Sequence, residues 1–152
     1  MARGAKMHKK VFVDANVILD LFDTNRPFYE DSLFVLQELI ENDEVEIFVS
    51  SDMISNIFYI LKNSFKLGFD KSLDAIEKIT QIYTIHSVSA EDIEDAIEIS
   101  KRHIFRDYED ALQYVSASRE ECSLIITNNP KDFKNSSIYT ATTRELSRLW
   151  KI

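Results

Sequence analysis

Apolar residues in this chain fall into two alternating patterns, short continuous runs and helical stripes. Val11-Phe12-Val13 is a run of the first kind, closed by Asp14, as expected of a strand buried on both faces. Asn16 to Phe22 reads as a short helix. Pro27 suits a first helical turn, and Phe28, Val35, Leu36, Leu39 and Ile40 trace one helical face behind it. Glu46 to Ser50 predicts a second strand. Ser51 or Asp52 can cap the helix that follows, with Ile54, Ile57, Phe58 and Leu61 as its apolar stripe. Ser72 to Thr80 is a further helix and Ile82 to Val88 a third strand. Ser89 and Asp92 have capping-box spacing and open a helix running to His103. Tyr108 to Glu121 is the next helix, with Ala111, Leu112 and Val115 inward. Leu124 to Thr127 and Ile138 to Ala141 read as the fourth and fifth strands. Thr142 and Glu145 repeat the capping-box spacing before a last helix to Trp150.

Strands separated by helices imply parallel pairing with helices on both faces of the sheet. The expected fold is therefore α/β: three layers, α/β/α, around a central mostly parallel sheet, in one domain over 1–152, with 1–8 as a flexible extension. Composition agrees. Hydrophobic residues make up 45% and charged residues 29%, which is globular, and 152 residues suffice for a real core. Gly and Pro occur twice each, too few for a turn-rich all-β fold or a glycine-rich phosphate loop. The one cysteine, Cys122, lies beside an apolar run and reads as a core residue of a protein in a reducing, cytoplasmic compartment. Asp14, Asn16 and Asp20 interrupt the apolar stretch after the basic start, which excludes a signal peptide or membrane span. Met7 is an alternative start.

The formal net charge is −8, so nucleic acid would gain nothing from general attraction and would need a local basic rim plus metal ions. Arg26, Lys62, Lys66 and Arg106 are the candidates for that rim. Arg106, beside Asp107, is the best of them.

An open parallel sheet binds ligands beyond the carboxyl ends of its strands. Asp14 directly follows the first strand, with Asn16 two residues on. Thr127, Asn128 and Asn129 follow the fourth, and Asp132 lies further into that loop. Asp107 and Asp110 begin the helix leading into the fourth strand, three residues apart on one face. Each has an ordinary reading when taken singly: a turn cap for Asp14, favourable helix-terminus acids for Asp107 and Asp110, turn residues for Thr127 and Asn129. Together they would converge on one sheet edge. Two carboxylates ~4 Å apart repel by ~4 kcal/mol in a medium of intermediate polarity. A fold keeps such a cluster with a cation, a shared proton or a functional use. Mg²⁺ or Mn²⁺ takes oxygen ligands, completes its shell with phosphate oxygens and lowers the pKa of a bound water, so phosphodiester hydrolysis is the natural reaction.

Val11-Phe12-Val13-Asp14-Ala15-Asn16-Val17-Ile18-Leu19-Asp20 resembles the opening of PIN domains. Arg26-Pro27-Phe28, Asp107-Tyr108-Glu109-Asp110-Ala111-Leu112-Gln113 and Ile125-Ile126-Thr127-Asn128-Asn129-Pro130-Lys131-Asp132-Phe133 resemble, in order and spacing, later segments of one bacterial branch. The resemblance covers nearly the whole chain. It implies a metal-dependent endoribonuclease, similar to the VapC toxins of toxin–antitoxin pairs, which often form homodimers and pair with an antitoxin. By motif, Asp14 would be the first acid and a metal ligand, Asp110 the third acid and also a ligand, Asp107 an auxiliary acid, and Thr127 would position substrate or water. Two positions depart from the family pattern. Asn56 stands where the second acid is usual and Asn129 where the fourth is usual, with Asp132 as a partial replacement at the metal. Asn16, Asn56, Asn128, Arg106 and Arg26 are the candidate RNA contacts.

A non-catalytic PIN scaffold that binds RNA or a protein is the alternative, motivated by Asn56 and Asn129. A phosphoacceptor-aspartate fold fits poorly, because Asn16 stands where a HAD phosphatase needs a second Asp, and a receiver's acceptor Asp with distal Lys is not found. His8, His86 and His103 lack metal-ligand spacing and read as surface or boundary residues. Phe58, Tyr59 and Phe65 are candidates to line a groove or a dimer face.

Overall fold

The computed structural model describes residues 8–151. Five strands, β1 (Lys10–Val13), β2 (Glu46–Ser50), β3 (Thr84–His86), β4 (Leu124–Ile126) and β5 (Tyr139–Ala141), form one sheet in the order β3-β2-β1-β4-β5. Every neighbouring pair is parallel. Seven helices flank it as a three-layer α/β/α arrangement: α1 (Ala15–Leu19), α2 (Tyr29–Ile40), α3 (Ser51–Tyr59), α4 (Phe69–Ile82), α5 (Ala90–Lys101), α6 (Tyr108–Arg119) and α7 (Thr143–Trp150).

The strand order carries the functional consequence. From β1 the chain builds outward through β2 to β3, then returns to place β4 and β5 on the other side of β1. The direction of winding reverses between β1 and β4, and the loops leaving their carboxyl ends separate into a crevice. Past Lys10 these central strands are apolar and buried: Val11, Phe12 and Val13 in β1 and Leu124, Ile125 and Ile126 in β4 are each 0% exposed. A short strand covered on both faces needs such a run, and truncating Phe12 to alanine would cost ~3–5 kcal/mol.

The helix boundaries follow from capping chemistry. Both expected capping boxes are present, Ser89 with Asp92 opening α5 and Thr142 with Glu145 opening α7. The N-cap position of α3 falls at Ser50 rather than Ser51 or Asp52, with no side-chain capping bond, and the Ser51 hydroxyl instead accepts from the Val88 N–H at 3.0 Å. Pro27 lies in the turn before α2 and not in its first turn. Ile40, expected on the inner face, is 41% exposed because it sits at the helix end. Helix α4 is longer than expected and absorbs Ile82, leaving β3 only three residues. Of the extension expected over 1–8, all but His8 lies outside the described residues. His8 Nδ1 is 2.9 Å from Ser123 Oγ, and its ring stacks on Tyr139. Cys122 is buried, as expected, and burial pushes its thiol up to about 12. Among the described residues no helix is long and apolar enough to cross a membrane.

Glycine scarcity shows at the helix ends. Lys66, His103 and Glu121 adopt left-handed backbone, with φ of 56°, 56° and 59°, just past a helical segment where glycine is the usual occupant. At His103 the chain still closes the motif: the Ile104 N–H reaches back to the Ile99 carbonyl at 3.2 Å.

His86, read from sequence as a surface or boundary residue, is instead buried at the end of β3. Its Nδ1 lies 2.6 Å from Glu120 and its Nε2 2.7 Å from Asp92. Both partners can only accept, so the ring carries both protons and a positive charge. Arg119 completes the group, its Nε donating to Asp92 at 2.8 Å and its guanidinium pairing with Asp95. Burial opposes the charge on His86, but the Glu120 and Asp92 carboxylates outweigh it and raise the pKa. Asp92 is lowered to about 2: burial works against that too, and the Ser89 N–H, His86 and Arg119 overcome it. The His86 contribution to stability is therefore complete below its ordinary value of 6.5 and is lost as pH rises through the raised one. The Asp92 share holds above 3.8 and is lost as pH falls toward 2. His86→Leu should cost ~1.5–3 kcal/mol at about pH 6, by removing the charged partner shared by Asp92 and Glu120, and less at about pH 9. Urea unfolding at the two pH values measures this, and an equal loss at both would refute the charged assignment.

Candidate active site

Asp14 is the first residue after β1 and the N-cap of α1. Its backbone N–H continues the ladder to the Ile126 carbonyl at 2.9 Å, so the side chain leaves the sheet at the β1–β4 crevice. The carboxylate is held from both sides of that crevice. The Thr127 hydroxyl donates to Oδ2 at 2.9 Å and the Asn16 N–H to Oδ1 at 3.4 Å. Thr127 is itself 0% exposed, and its oxygen accepts the Asn129 N–H at 3.1 Å. A chain of hydrogen bonds therefore runs from the loop after β4 into the carboxylate after β1.

Asp14 opens into a cleft of about 300 Å³ whose other walls are α3 and α6. Asn16, Asp52, Asn56, Glu109, Asp110 and Gln113 line it. Asp107 caps α6 through the N–H groups of Glu109 and Asp110, at 2.8 and 3.3 Å, which turns the first helical turn and Asp110 toward the cleft. Asp110 is also the wall shared with a second hollow of about 410 Å³, lined by Arg106, Asp107, Lys131, Asp132 and Lys134 among others.

The electrostatics follow from this crowding. Burial pushes the Asp14 carboxyl up, against the opposing pull of Thr127, the Asn16 N–H and the Gln113 amide, and the charge of Asp132 adds to the rise. Asp110 is pushed up to about 7, first by burial and then by the negative charges of Asp107, Asp132, Asp14 and Glu109. No cation is paired to either: the salt bridges of the described residues lie elsewhere.

Asp14, Asp110, Asn16 and Asn56 thus share one cleft, and Asp107, Asp132 and Arg106 line the adjoining hollow. Thr127 lies behind Asp14, and Asn129 reaches the centre only through its backbone N–H. Asn128 and Arg26 lie elsewhere. Asn128 donates to Asp20 at 3.0 Å and accepts from the Thr143 N–H at 3.0 Å, while Arg26 Nε donates to Asp20 at 2.8 Å and its guanidinium lies over Phe65. This buried network joins the loop after β4 to α2 and α7 and leaves neither side chain facing the cleft. Lys62 and Lys66 are exposed and line neither hollow, whereas Tyr59 is a cleft wall. Sequence reading passed over Asp52, Gln113, Lys131 and Lys134. Helical spacing was the available signal for the first two: Gln113 follows Asp110 by three residues and Asp52 precedes Asn56 by four.

The polar side chains that line the cleft with Asp14 and Asp110, namely Asn16, Asp52, Asn56, Tyr59, Glu109 and Gln113, all carry oxygen, the chemistry of a hard divalent cation, and a cation would relieve both raised carboxyls. Among the described residues no three His, Cys, Asp or Glu side chains are set closely enough to hold a metal by themselves. The set fits an ion of the magnesium type, which takes one or two carboxylates and keeps waters or phosphate oxygens for the rest of its shell.

The sequence model of the family described as "PIN domain" matches residues 10–131. Ribonuclease VapC1 of Aquifex aeolicus (strain VF5) is 36% identical over 143 residues, covering 93% of this chain and 96% of the relative. Two solved structures share the fold at lower identity. The Mycobacterium tuberculosis toxin VapC20, described as cleaving the sarcin-ricin loop, superposes with a TM-score of 0.63 at 14% identity over 76% of this chain and 86% of its own. A toxin-antitoxin complex from Klebsiella pneumoniae superposes with a TM-score of 0.63 at 18% identity over 88% of this chain and 97% of its own. With the crevice between β1 and β4, the buried Asp14 and the matched residues in agreement, the chain belongs to the PIN domain family.

Proposed function

We propose that the protein is a divalent-metal-dependent endoribonuclease. The observation that carries this reading is the pair Asp14 and Asp110, two carboxylates from distant parts of the chain facing one cleft with raised pKa values and no cation beside them. Keeping them there costs stability, and a bound Mg²⁺ or Mn²⁺ would offset that cost. The 36% identity to a ribonuclease over nearly the full length of both chains supports the same activity.

Asp14 and Asp110 would hold the ion, with the Asn56 amide beside them and Asp132 adding negative potential from the adjoining hollow. When bound, such an ion lowers the pKa of a coordinated water and neutralises charge developing on the phosphoryl oxygens. The rest belongs to the protein. Thr127 holds Asp14 in one orientation, and Asp107 fixes the first turn of α6 and with it Asp110. Arg106, Lys131 and Lys134, on the far side of Asp110, supply the local positive rim that a chain of net charge −8 needs to accept a phosphate backbone.

We also propose an antitoxin partner and action as a toxin, supported by the likeness to toxin–antitoxin structures. An apolar groove of about 330 Å³ lined by Ile18, Leu21, Phe22, Ile40, Ile79 and Ile82, with Lys71 and Lys78 also along it, offers a surface for a partner's amphipathic helix. The specific observation favouring a non-catalytic scaffold is that α3 and the loop after β4 present Asn56 and Asn129 where acids are usual.

Two expectations follow from the carboxylate pair. With Mn²⁺, the purified protein should cleave structured RNA, and Asp14→Asn should lower the rate at least ~100-fold. Intact RNA across varied substrates, with Asp14→Asn indistinguishable from the unaltered chain, would leave the scaffold reading. The second expectation concerns stability. The folded protein holds the Asp110 proton up to about 7, whereas the unfolded chain releases it near 3.8. Stability therefore falls as pH rises between those values. In EDTA, Asp110→Asn should melt at a higher temperature than the unaltered chain at about pH 8, with no such gain near pH 4. Added Mn²⁺ should narrow the gap at pH 8. A lower melting temperature for the variant at pH 8 would contradict the electrostatic account.

A further inference from the structure

Single apolar side chains scattered over a surface need no explanation. Of the large apolar side chains exposed among the described residues, Tyr59, at 58%, is the one that lines the cleft of Asp14 and Asp110. It ends α3, three residues after Asn56, so the two share a helical face. The helix then widens into a π turn, Ile60–Ser64, in which the Ile60 carbonyl accepts from the Phe65 N–H at 3.0 Å. Such turns are rare and concentrate at functional sites. The fold makes little use of the Tyr59 ring. Among the described residues its one ring contact is edge-on with Phe58, centroids 5.2 Å apart, and its hydroxyl has no hydrogen-bond partner. Phe58 is braced in turn by Phe69, again edge-on, at 5.8 Å. The ring is thus steadied by an aromatic neighbour and still mostly in solvent.

The charges of the two hollows decide what such a ring could hold. Asp14, Asp52, Glu109 and Asp110 line the Tyr59 cleft, and among the described residues no lysine, arginine or histidine does. Arg106, Lys131 and Lys134 line the hollow on the other side of Asp110. None of these three cations is in a salt bridge among the described residues, although Asp107 and Asp132 line the same hollow. A phosphodiester chain crossing Asp110 is therefore attracted through its backbone on one side only. On the other side the cleft offers it an uncharged aromatic ring, on which any nucleobase can stack.

We infer that Tyr59 is a stacking platform for a base next to the scissile phosphate. The inference rests on RNA being the substrate, as proposed above, and adds a means of selection. A base inside a duplex has both faces covered by its neighbours, so the cleft takes RNA that is unpaired at this position. Every base has an aromatic face, so the ring selects an unpaired base and not a sequence.

The test is a double-substitution cycle between the ring and the base. Unpaired oligoribonucleotides with one abasic residue, moved a position at a time, are titrated against the full chain with Mn²⁺ and followed by fluorescence anisotropy. Asp14→Asn is present throughout, so that bound RNA is not cut. At one position, loss of the base should weaken binding ~5- to 150-fold. Tyr59→Leu and Tyr59→Gln should abolish the penalty at that position, whereas Tyr59→Phe and Tyr59→Trp should keep it. An equal penalty in Tyr59→Leu and Tyr59→Gln, or no position with a penalty, overturns the inference and leaves the RNA reading standing. If no chain binds RNA, with Asp14 restored or not, the reading and the inference fail together. Light scattering covers the remaining outcome: a lower molar mass in Tyr59→Leu would make the ring a contact between subunits, which also overturns the inference.

Discussion

The hydrogen bond from the Thr127 hydroxyl to the Asp14 carboxylate, 2.9 Å long and buried, is the contact on which the candidate site depends. It spans the point where the sheet reverses its winding and joins the residue after β1 to the residue after β4. A carboxylate with 3% exposure is tolerable only when its oxygens are occupied. Thr127 and the Asn16 N–H occupy part of that capacity and leave the remainder facing the cleft. The central strands make this possible by being apolar from Val11 and Leu124 onward, so that the first polar groups beyond their carboxyl ends are those at the crevice.

A second polar group shows what the same fold does with a fully satisfied acid. Asp20 is as buried as Asp14, yet Arg26, Ser32 and Asn128 all donate to it, and Asn128 in turn accepts from Thr143. That network ties α2 and α7 to the loop after β4 and so steadies Thr127 from outside. Asp14 lacks such a cation. The two aspartates differ in environment and not in depth: one is fully partnered within the fold and the other is left at the wall of the cleft.

Much of this was legible from sequence. Continuous apolar runs located β1, β2 and β4, short β-rich stretches located β3 and β5, and capping-box spacing located the starts of α5 and α7. The place of Asp14 beyond β1 followed from where strands end in a parallel sheet, and Asp110 at the start of α6 lines the same cleft, with Asp132 in the adjoining hollow. What failed to show has a common cause: spacing along the chain says nothing of which neighbour arrives from elsewhere. Asn128 reads as a turn residue beside Thr127, and only the packing of α2 and α7 draws it away from the cleft. His86 reads as a scattered histidine until Asp92 and Glu120, from two different helices, close on both ring nitrogens. Asp52 reads as a helix-start acid, and only α6 lying opposite makes it a wall of the cleft.

The pairing of residues 14 and 127 also sets an order of events. Asp14 and Thr127 lie 113 residues apart, and parallel strands so far apart in sequence pair late. Until that happens Asp14 is an ordinary solvated aspartate with no pocket around it. The cleft therefore exists only once β1 and β4 have paired, and a chain in which they have not has no assembled pocket around Asp14.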